Sequence, residues 1–349
     1  MTDLFGRSSQ GGRPTFVWAQ ISAHFICRVM FMRNHSPRAA VRYREHVMTM
    51  EQGRIVKEPD TTSVDLPRAP AFIVTIYGDV VEPRGGMLWM GTLIECCGAH
   101  GLSETLVRTA VSRLVAAGRL EGLRIGRRSY YRLSDAARSE FRAASRLLFL
   151  PPPASEDWLF CLSETSSDQE LGAGWVRLSP TVAIAPNREG VAPVDGVVMR
   201  AGQVEGQGDL RSFAREKWAL EDVAHSYQAF LDRHQCLLDG PSFVASLSPE
   251  EALARRLRLV HDYRQAALID PRLPPAACPT DWPAERARRL FVTAYLGLSG
   301  RADAFVGETF LNDQGALEAV NAETEQRLSR LESEAASWAR AGSSHQTLQ

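Results

Sequence analysis

From Phe72 to Ser134 the chain alternates apolar runs with sharp breaks, and the breaks delimit the elements. Phe72–Tyr77 is a short apolar run, closed by the turn sequence Pro83-Arg84-Gly85-Gly86. Met87–Cys97 is a second apolar block of helical length, stopped by Gly98 and Gly101 because glycine just past a helix adopts the left-handed conformation without strain. Ser103 then offers a hydroxyl to the first free N–H groups of a third helix. That pattern runs to Ala117, with Gly118 behind it. Leu120–Ile125 and Ser129–Leu133 are strand-like runs joined by Gly126-Arg127-Arg128, which predicts a β-hairpin. Three helices followed by a hairpin is the order of a winged helix-turn-helix.

Downstream, a helical stretch over Asp135–Leu148 ends at Pro151-Pro152-Pro153. Residues 157–200 alternate short apolar runs with turns, giving strands at Trp158–Leu162, Val176–Leu178, Val182–Ala185 and Val197–Met199. From Glu216 the chain reads as mainly helical, with segments at Glu216–His234, Glu250–Ile269, Ala284–Leu298 and Arg301–Trp338. In the second of these, Leu253, Leu257, Val260, Tyr263 and Ala267 recur at spacings of three and four, which predicts one buried stripe. Residues 1–67 differ: a Gly/Ser/Arg-rich start, a mixed apolar segment from Phe16 to Met32, then a polar run with Pro59 and Pro67. We read them as a poorly ordered extension, with a small helix over Phe16–Met32 as the alternative and Met48 and Met50 as possible starts. The expected division is an extension at 1–67, a DNA-binding unit at 68–150, a central unit at 154–215 and a helical C-terminal unit at 216–340.

Composition narrows the function. With 349 residues, 44% of them hydrophobic, the chain can build more than one core, and a net charge of −1 gives it no overall attraction to nucleic acid or membrane. The charge is segregated instead. Between Ser103 and Arg146 ten arginines face four carboxylates, a local formal charge of +6, which suits phosphate contact with release of counterions. Lys57 and Lys217 are the only lysines, so the chain favours arginine throughout and a solvated arginine surface is the competing explanation. The six cysteines contain no Cys-x-x-Cys pair and no zinc spacing. They read as reduced thiols of a cytoplasmic protein. Gln20, His24 and Arg28 interrupt the Phe16–Met32 segment, which argues against a membrane span.

Helical geometry places the candidate DNA-reading groups. Val107, Ala110, Val111 and Leu114 form the buried stripe of the third helix, leaving Thr105, Arg108, Thr109 and Ser112 outward and Arg113 at the margin. Such side chains reach base edges or phosphates from the major groove. Arg127 and Arg128 at the hairpin tip suit phosphates or an adjacent minor groove. Tyr130 and Tyr131 point to opposite faces, so one packs and the other is free to meet the DNA backbone; Tyr130, with Arg124, joins the expected contact set. An enzyme has little support. There is no Gly-x-Ser-x-Gly elbow and no His-Glu-x-x-His helix. The Gly202, Gly206, Gly208 cluster lacks the phosphate-loop lysine, and Asp157 is a lone carboxylate where two-metal chemistry needs several. No catalytic residue, metal ligand or cofactor is assigned.

The chain resembles the PaaX family, repressors of phenylacetic acid catabolism. The matching stretches are Ile73-Val74-Thr75-Ile76-Tyr77-Gly78-Asp79, Pro83–Gly86, Leu106–Leu114 and Gly126–Leu133. Far downstream follow His261-Asp262-Tyr263-Arg264, Asp270-Pro271-Arg272-Leu273-Pro274 and Asp281-Trp282-Pro283. The resemblance implies an α+β subunit: an N-terminal winged helix-turn-helix, a central ferredoxin-like domain similar to Cas2, and a helical C-terminal domain. It further implies a homodimer on double-stranded operator DNA, released when phenylacetyl-CoA or another aryl-CoA thioester binds. Thr165–Gly174 is short and glycine-interrupted where the family carries a clearer helix. His261 and Arg264 share a helical face and, with Arg255, Arg256 and Arg258 nearby, could hold phosphates or a thioester carbonyl. We favour the structural alternative, in which they tie their helix to the Asp270–Pro275 loop. The functional alternatives are a winged-helix protein-interaction module and a regulator of another pathway with an unrelated inducer.

Overall fold

The computed structural model describes residues 66–346 except 153–154, 156, 164–170, 173, 193, 203–204, 206–207 and 239. The expected extension, with its Phe16–Met32 helix, lies outside the described residues apart from Leu66 and Pro67. Helix α1 spans Ala69–Ile76, with a proline in its first turn where the missing N–H costs nothing. It runs on through a π-helical turn, Tyr77–Val81, and a 3-10 turn, Glu82–Arg84. Gly85, at φ 92°, ends it, a conformation that side chains other than glycine's resist.

The Met87–Cys97 block divides. Met87–Trp89 forms strand β1, and helix α2 begins only at Met90 and ends at Gly98. The cause is non-local: Met87, Leu88 and Trp89 pair with Arg132, Tyr131 and Tyr130. Helix α3 covers Glu104–Ala116, and β2 (Leu120–Ile125) and β3 (Arg128–Leu133) form the hairpin. The three strands make an antiparallel sheet in the order β1-β3-β2. Helix α4, Asp135–Phe149, follows, capped by the Ser134 hydroxyl.

Strands β4 (Trp158–Leu162), β5 (Val176–Ser179), β6 (Val182–Pro186) and β7 (Val197–Ala201) fall where the apolar runs predict. They form a second sheet in the order β5-β6-β4-β7, every neighbouring pair antiparallel. No helix lies among the described residues of the connections 163–175 and 187–196.

The helical region departs from the pattern twice. The single helix expected from Glu216 is two, α5 (Leu210–Lys217) and α6 (Leu220–His234). Trp218 turns into the core beside Trp158, ring centroids 5.5 Å apart, and Ala219 takes φ 46°. Helices α7 (Pro241–Ser246) and α8 (Pro249–Ile269) follow, the latter with a Ser248/Glu251 capping box. The break expected near Gly300 is absent: α9 runs unbroken from Ala284 to Thr309. Leu298, Ala302 and Val306 are fully buried and continue its stripe through the glycine, so packing overrides the local helix cost of glycine. The interruption comes at 310–321, before α10 (Ala322–Gln346).

One apolar cluster runs from Phe72 and Ile76 of α1 through Leu93 and Val107 to Leu257, Val260, Phe291 and Leu331 of the C-terminal helices. The N-terminal helices are therefore seated directly on the helical region. A second cluster, built on Trp158, Ile184, Trp218 and Leu273, lies under the four-stranded sheet. Among the described residues no helix is long and apolar enough to cross a membrane.

Candidate nucleic-acid interface

Helix α3 starts where Ser103 accepts a hydrogen bond from the Leu106 N–H at 3.4 Å. Val107, Ala110 and Val111 are at most 2% exposed and Leu114 is half-buried, so the apolar stripe points inward as its spacing predicts. Thr105, Arg108, Thr109, Ser112 and Arg113 are all exposed. Thr109 donates to the Thr105 carbonyl at 2.8 Å. The Arg108 guanidinium meets Glu104 at 2.7 Å on the open helix surface. An exposed pair of this kind contributes little, so Arg108 can exchange its partner.

The hairpin beside α3 sorts its arginines by what they touch. Arg132 pairs across the strands with Glu121 at 2.9 Å, Arg119 pairs with Glu140, and Arg138 pairs with Glu82 and Asp135. Those charges are matched within the fold. Arg124 has only a 3.4 Å contact to the Gly126 carbonyl. Arg113, Arg127 and Arg142 are exposed and make no hydrogen bond or ion pair among the described residues. The usable positive charge of the segment is thus concentrated on α3, the hairpin tip and the outer side of α4.

Two expectations need correction. The tip is Gly126-Arg127, with Gly126 at φ 60°; Arg128 already belongs to β3, opposite Ile125. Its guanidinium lies 4.8 Å from the Trp89 ring centroid, a cation–π contact that positions it beside the tip. Tyr130 is buried, 5% exposed, opposite Leu123 and Trp89. Its ring braces the hairpin and is withdrawn from any surface contact. Tyr131 is the half-buried one, and its carbonyl accepts from the Tyr77 hydroxyl at 2.9 Å.

His261 and Arg264 lie in a packed interface, not an open site. His261 is 2% exposed, with Nδ1 3.0 Å from Thr75 Oγ1, Nε2 2.8 Å from Gln265 Nε2, and its ring edge-on to Phe72. Burial lowers its pKa to about 4, so the ring is neutral near pH 7. Arg264 is 6% exposed, and burial lowers it to about 10. The expected tie of His261 to the Asp270–Pro275 loop is not formed: His261 ties α8 to α1, and it is Arg272 that links that loop to the Leu147 carbonyl at 2.9 Å.

Sequence reasoning missed a buried ion network behind the interface. Asp79 accepts from Arg256 at 2.9 Å, from Tyr295 at 2.8 Å and from Arg327 at 3.2 Å. Asp303 accepts from Arg84 and Arg256, each at 2.7 Å. Burial works against the charge on Arg256, yet Asp79, Tyr295 and Asp303 outweigh it and raise its pKa. The signal available was Asp79 itself, a carboxylate closing the apolar run Ile73–Gly78; such a group needs a buried partner.

An exposed helix rich in hydrogen-bonding groups, an arginine-tipped hairpin beside it and a closed core behind it make up the equipment of a regulator. A family model described as PaaX-like protein matches residues 68–137, and one described as PaaX-like protein C-terminal domain matches 218–308. The transcriptional repressor PaaX of Escherichia coli (strain K12) is 33% identical over 273 residues, covering 71% of this chain and 86% of the relative. The chain belongs to the PaaX family and is a transcription regulator, not an enzyme. Among solved structures it is similar to an uncharacterized protein from Mycobacterium tuberculosis, at 19% identity and a TM-score of 0.40, over 61% of this chain and 89% of that one.

Proposed function

We propose that the chain is a DNA-binding repressor whose residues 68–150 act as a winged helix-turn-helix. In this reading α3 enters the major groove, presenting Thr105, Arg108, Thr109, Ser112 and Arg113 to base edges and phosphates. Arg124, Arg127 and Arg128 of the hairpin meet the flanking backbone. The observation that carries it is the exposure of that α3 face next to arginines left unmatched by any carboxylate. The E. coli relative is named a transcriptional repressor, which supports the same direction of control here. The genes controlled are those of phenylacetate or related aromatic-acid breakdown, and phenylacetyl-CoA or another aryl-CoA thioester releases the DNA.

The central unit, 154–215, is taken as ferredoxin-like: its strand order, second-third-first-fourth with all neighbours antiparallel, supports that reading. The working form is a homodimer on a two-fold operator. A winged helix used for protein contact is the second reading, favoured by the exposed Leu106 of α3 and Leu123 and Ile125 of β2.

A gel shift on the protein's own upstream region, run across a salt series with and without phenylacetyl-CoA, tests both readings. The repressor reading expects binding that weakens steeply with salt and is relieved by the thioester. Coupling of a typical size would shift affinity by about 5- to 150-fold, and the operator must weaken thioester binding by the same factor. Salt-insensitive retention, or none, removes the DNA reading.

A further inference from the structure

A cleft of about 500 Å³ opens between α4 and the start of α10, with no residue of α3 or the hairpin in its lining. Its walls are Arg146, Phe149 and Leu150 on one side and Glu323, Arg327 and Arg330 on the other. The volume suits a small-molecule site, and its lining is lopsided in charge: three arginines to one carboxylate, with Arg327 already paired to buried Asp79 behind it and Arg146 to exposed Glu189.

The three arginines are held to different degrees. Arg327 is buried, its guanidinium stacked 4.1 Å from the Phe149 ring centroid and its Nη1 donating to Asp79 and to the Tyr295 oxygen. It forms a fixed cationic floor. Arg146 holds only Glu189, at 2.8 Å, with both side chains more than 60% exposed. Solvent screening leaves that pair weak and exchangeable. Arg330 is exposed and makes no hydrogen bond or ion pair among the described residues. A fixed cation under two adjustable ones, beside an aromatic wall, fits an anion with several oxygens on adjacent centres, since each guanidinium can grip one phosphate through paired N–H donors.

We propose that the α4–α10 cleft binds a small phosphorylated ligand through Arg146, Arg327 and Arg330, and is the effector site of this regulator. The second half of that statement rests on the effector reading above; the first half does not. The cleft also has a route to the DNA-binding unit. Arg327 is shared between its floor and Asp79, which sits in the π-helical turn that follows α1. An anion drawing on Arg327 competes with Asp79 and so bears on how α1 is seated.

Calorimetry on the full chain tests this, with inorganic pyrophosphate, coenzyme A and phenylacetyl-CoA as probes. The variants are Arg146→Glu and Arg330→Glu, both exposed, with Arg301→Glu on α9 as a charge-matched control outside the cleft lining. Thermal unfolding checks that each is folded. Pyrophosphate and coenzyme A should bind the unaltered protein. Each cleft variant should weaken them about 10- to 100-fold, the range for loss of a charge-assisted hydrogen bond, and the control should not. If neither probe binds, or binding survives both cleft variants, the site is wrong. If the cleft variants lose operator affinity and no small anion binds, the face belongs to DNA phosphate and the proposal falls. The effector reading separates cleanly: release of operator by phenylacetyl-CoA that is equal in all variants keeps the effector and removes the cleft. Coenzyme A bound in the cleft without any effect on operator does the reverse.

Discussion

Asp79 Oδ2 accepts a hydrogen bond from Arg256 Nε at 2.9 Å, across 177 positions of sequence, with both side chains at most 1% exposed. The first residue lies in the π-helical turn that follows α1 and the second lies in the middle of α8. A second oxygen of Asp79 takes Tyr295 from α9 and Arg327 from α10. One carboxylate therefore joins four segments, and the way the N-terminal helices sit on the helical body passes through it.

Removing that carboxylate strands the buried Arg327 guanidinium and leaves Arg256 with Asp303 alone. Asp79→Ala should destabilise the protein by about 3–5 kcal/mol, the usual cost of breaking a buried pair from one side. Asp79→Asn, which keeps one acceptor oxygen, should cost less. The urea midpoint measures both. A loss under about 1 kcal/mol, the scale of an exposed pair, would mean the network is looser than these distances state.

Arg108→Ala should weaken operator binding by about 1–3 kcal/mol if the side chain grips a base through two donors. In the free protein Arg108 is held by Glu104 at 2.7 Å, so Glu104→Gln should leave affinity unchanged or improve it. Gel shifts on specific and scrambled duplexes read this out. Arg108→Ala with full affinity would take the residue off the interface.

Arg127 and Arg128 should not behave alike. Arg127→Ala removes an untethered charge and should lower affinity for specific and random DNA equally, flattening the logarithmic salt slope by about 1 unit. Arg128 depends on Trp89 for its position, so Trp89→Leu should reproduce much of the Arg128→Ala defect while the charge remains. Loss confined to the specific operator would assign base reading to the hairpin.

Stability should fall in mild acid through His261. Burial holds its folded pKa at about 4, below the ordinary 6.5, so the unfolded chain binds the proton first as pH drops. The histidine's contribution is complete above pH 6.5, declines as pH falls towards 4 and changes no further below that. The whole decline is on the order of 3 kcal/mol. His100, lowered to about 4 chiefly by burial as well, adds to the same window. A variant with both histidines replaced by glutamine should show a flatter urea midpoint between pH 7 and 4.5, and an unchanged slope would place the sensitivity elsewhere.

What local pattern decides, the sequence reveals. The α3 stripe of Val107, Ala110 and Val111 follows from 3.6-residue periodicity, and its Ser103 cap and trailing Gly118 bracket it. The outward set from Thr105 to Arg113 is then a matter of helical geometry, legible without any tertiary contact. The four short strands of 158–201 were likewise written in their own apolar runs, although nothing in those runs announces the order β5-β6-β4-β7. Tertiary structure decided wherever a distant segment outbid a local preference. Met87–Trp89 left the helix because β3 offered backbone partners, Gly300 stayed inside one because Leu298 and Ala302 had a core to fill, and Trp218 broke one to reach Trp158. Charge obeyed the same division. A count of ten arginines locates a basic surface, but only the fold pairs Arg119, Arg132 and Arg138 with carboxylates and leaves Arg113, Arg127 and Arg142 to solvent. His261 and Arg264 show the limit most plainly: periodicity puts them on one face, but whether that face meets ligand or core depends on α1, and Thr75 occupies it.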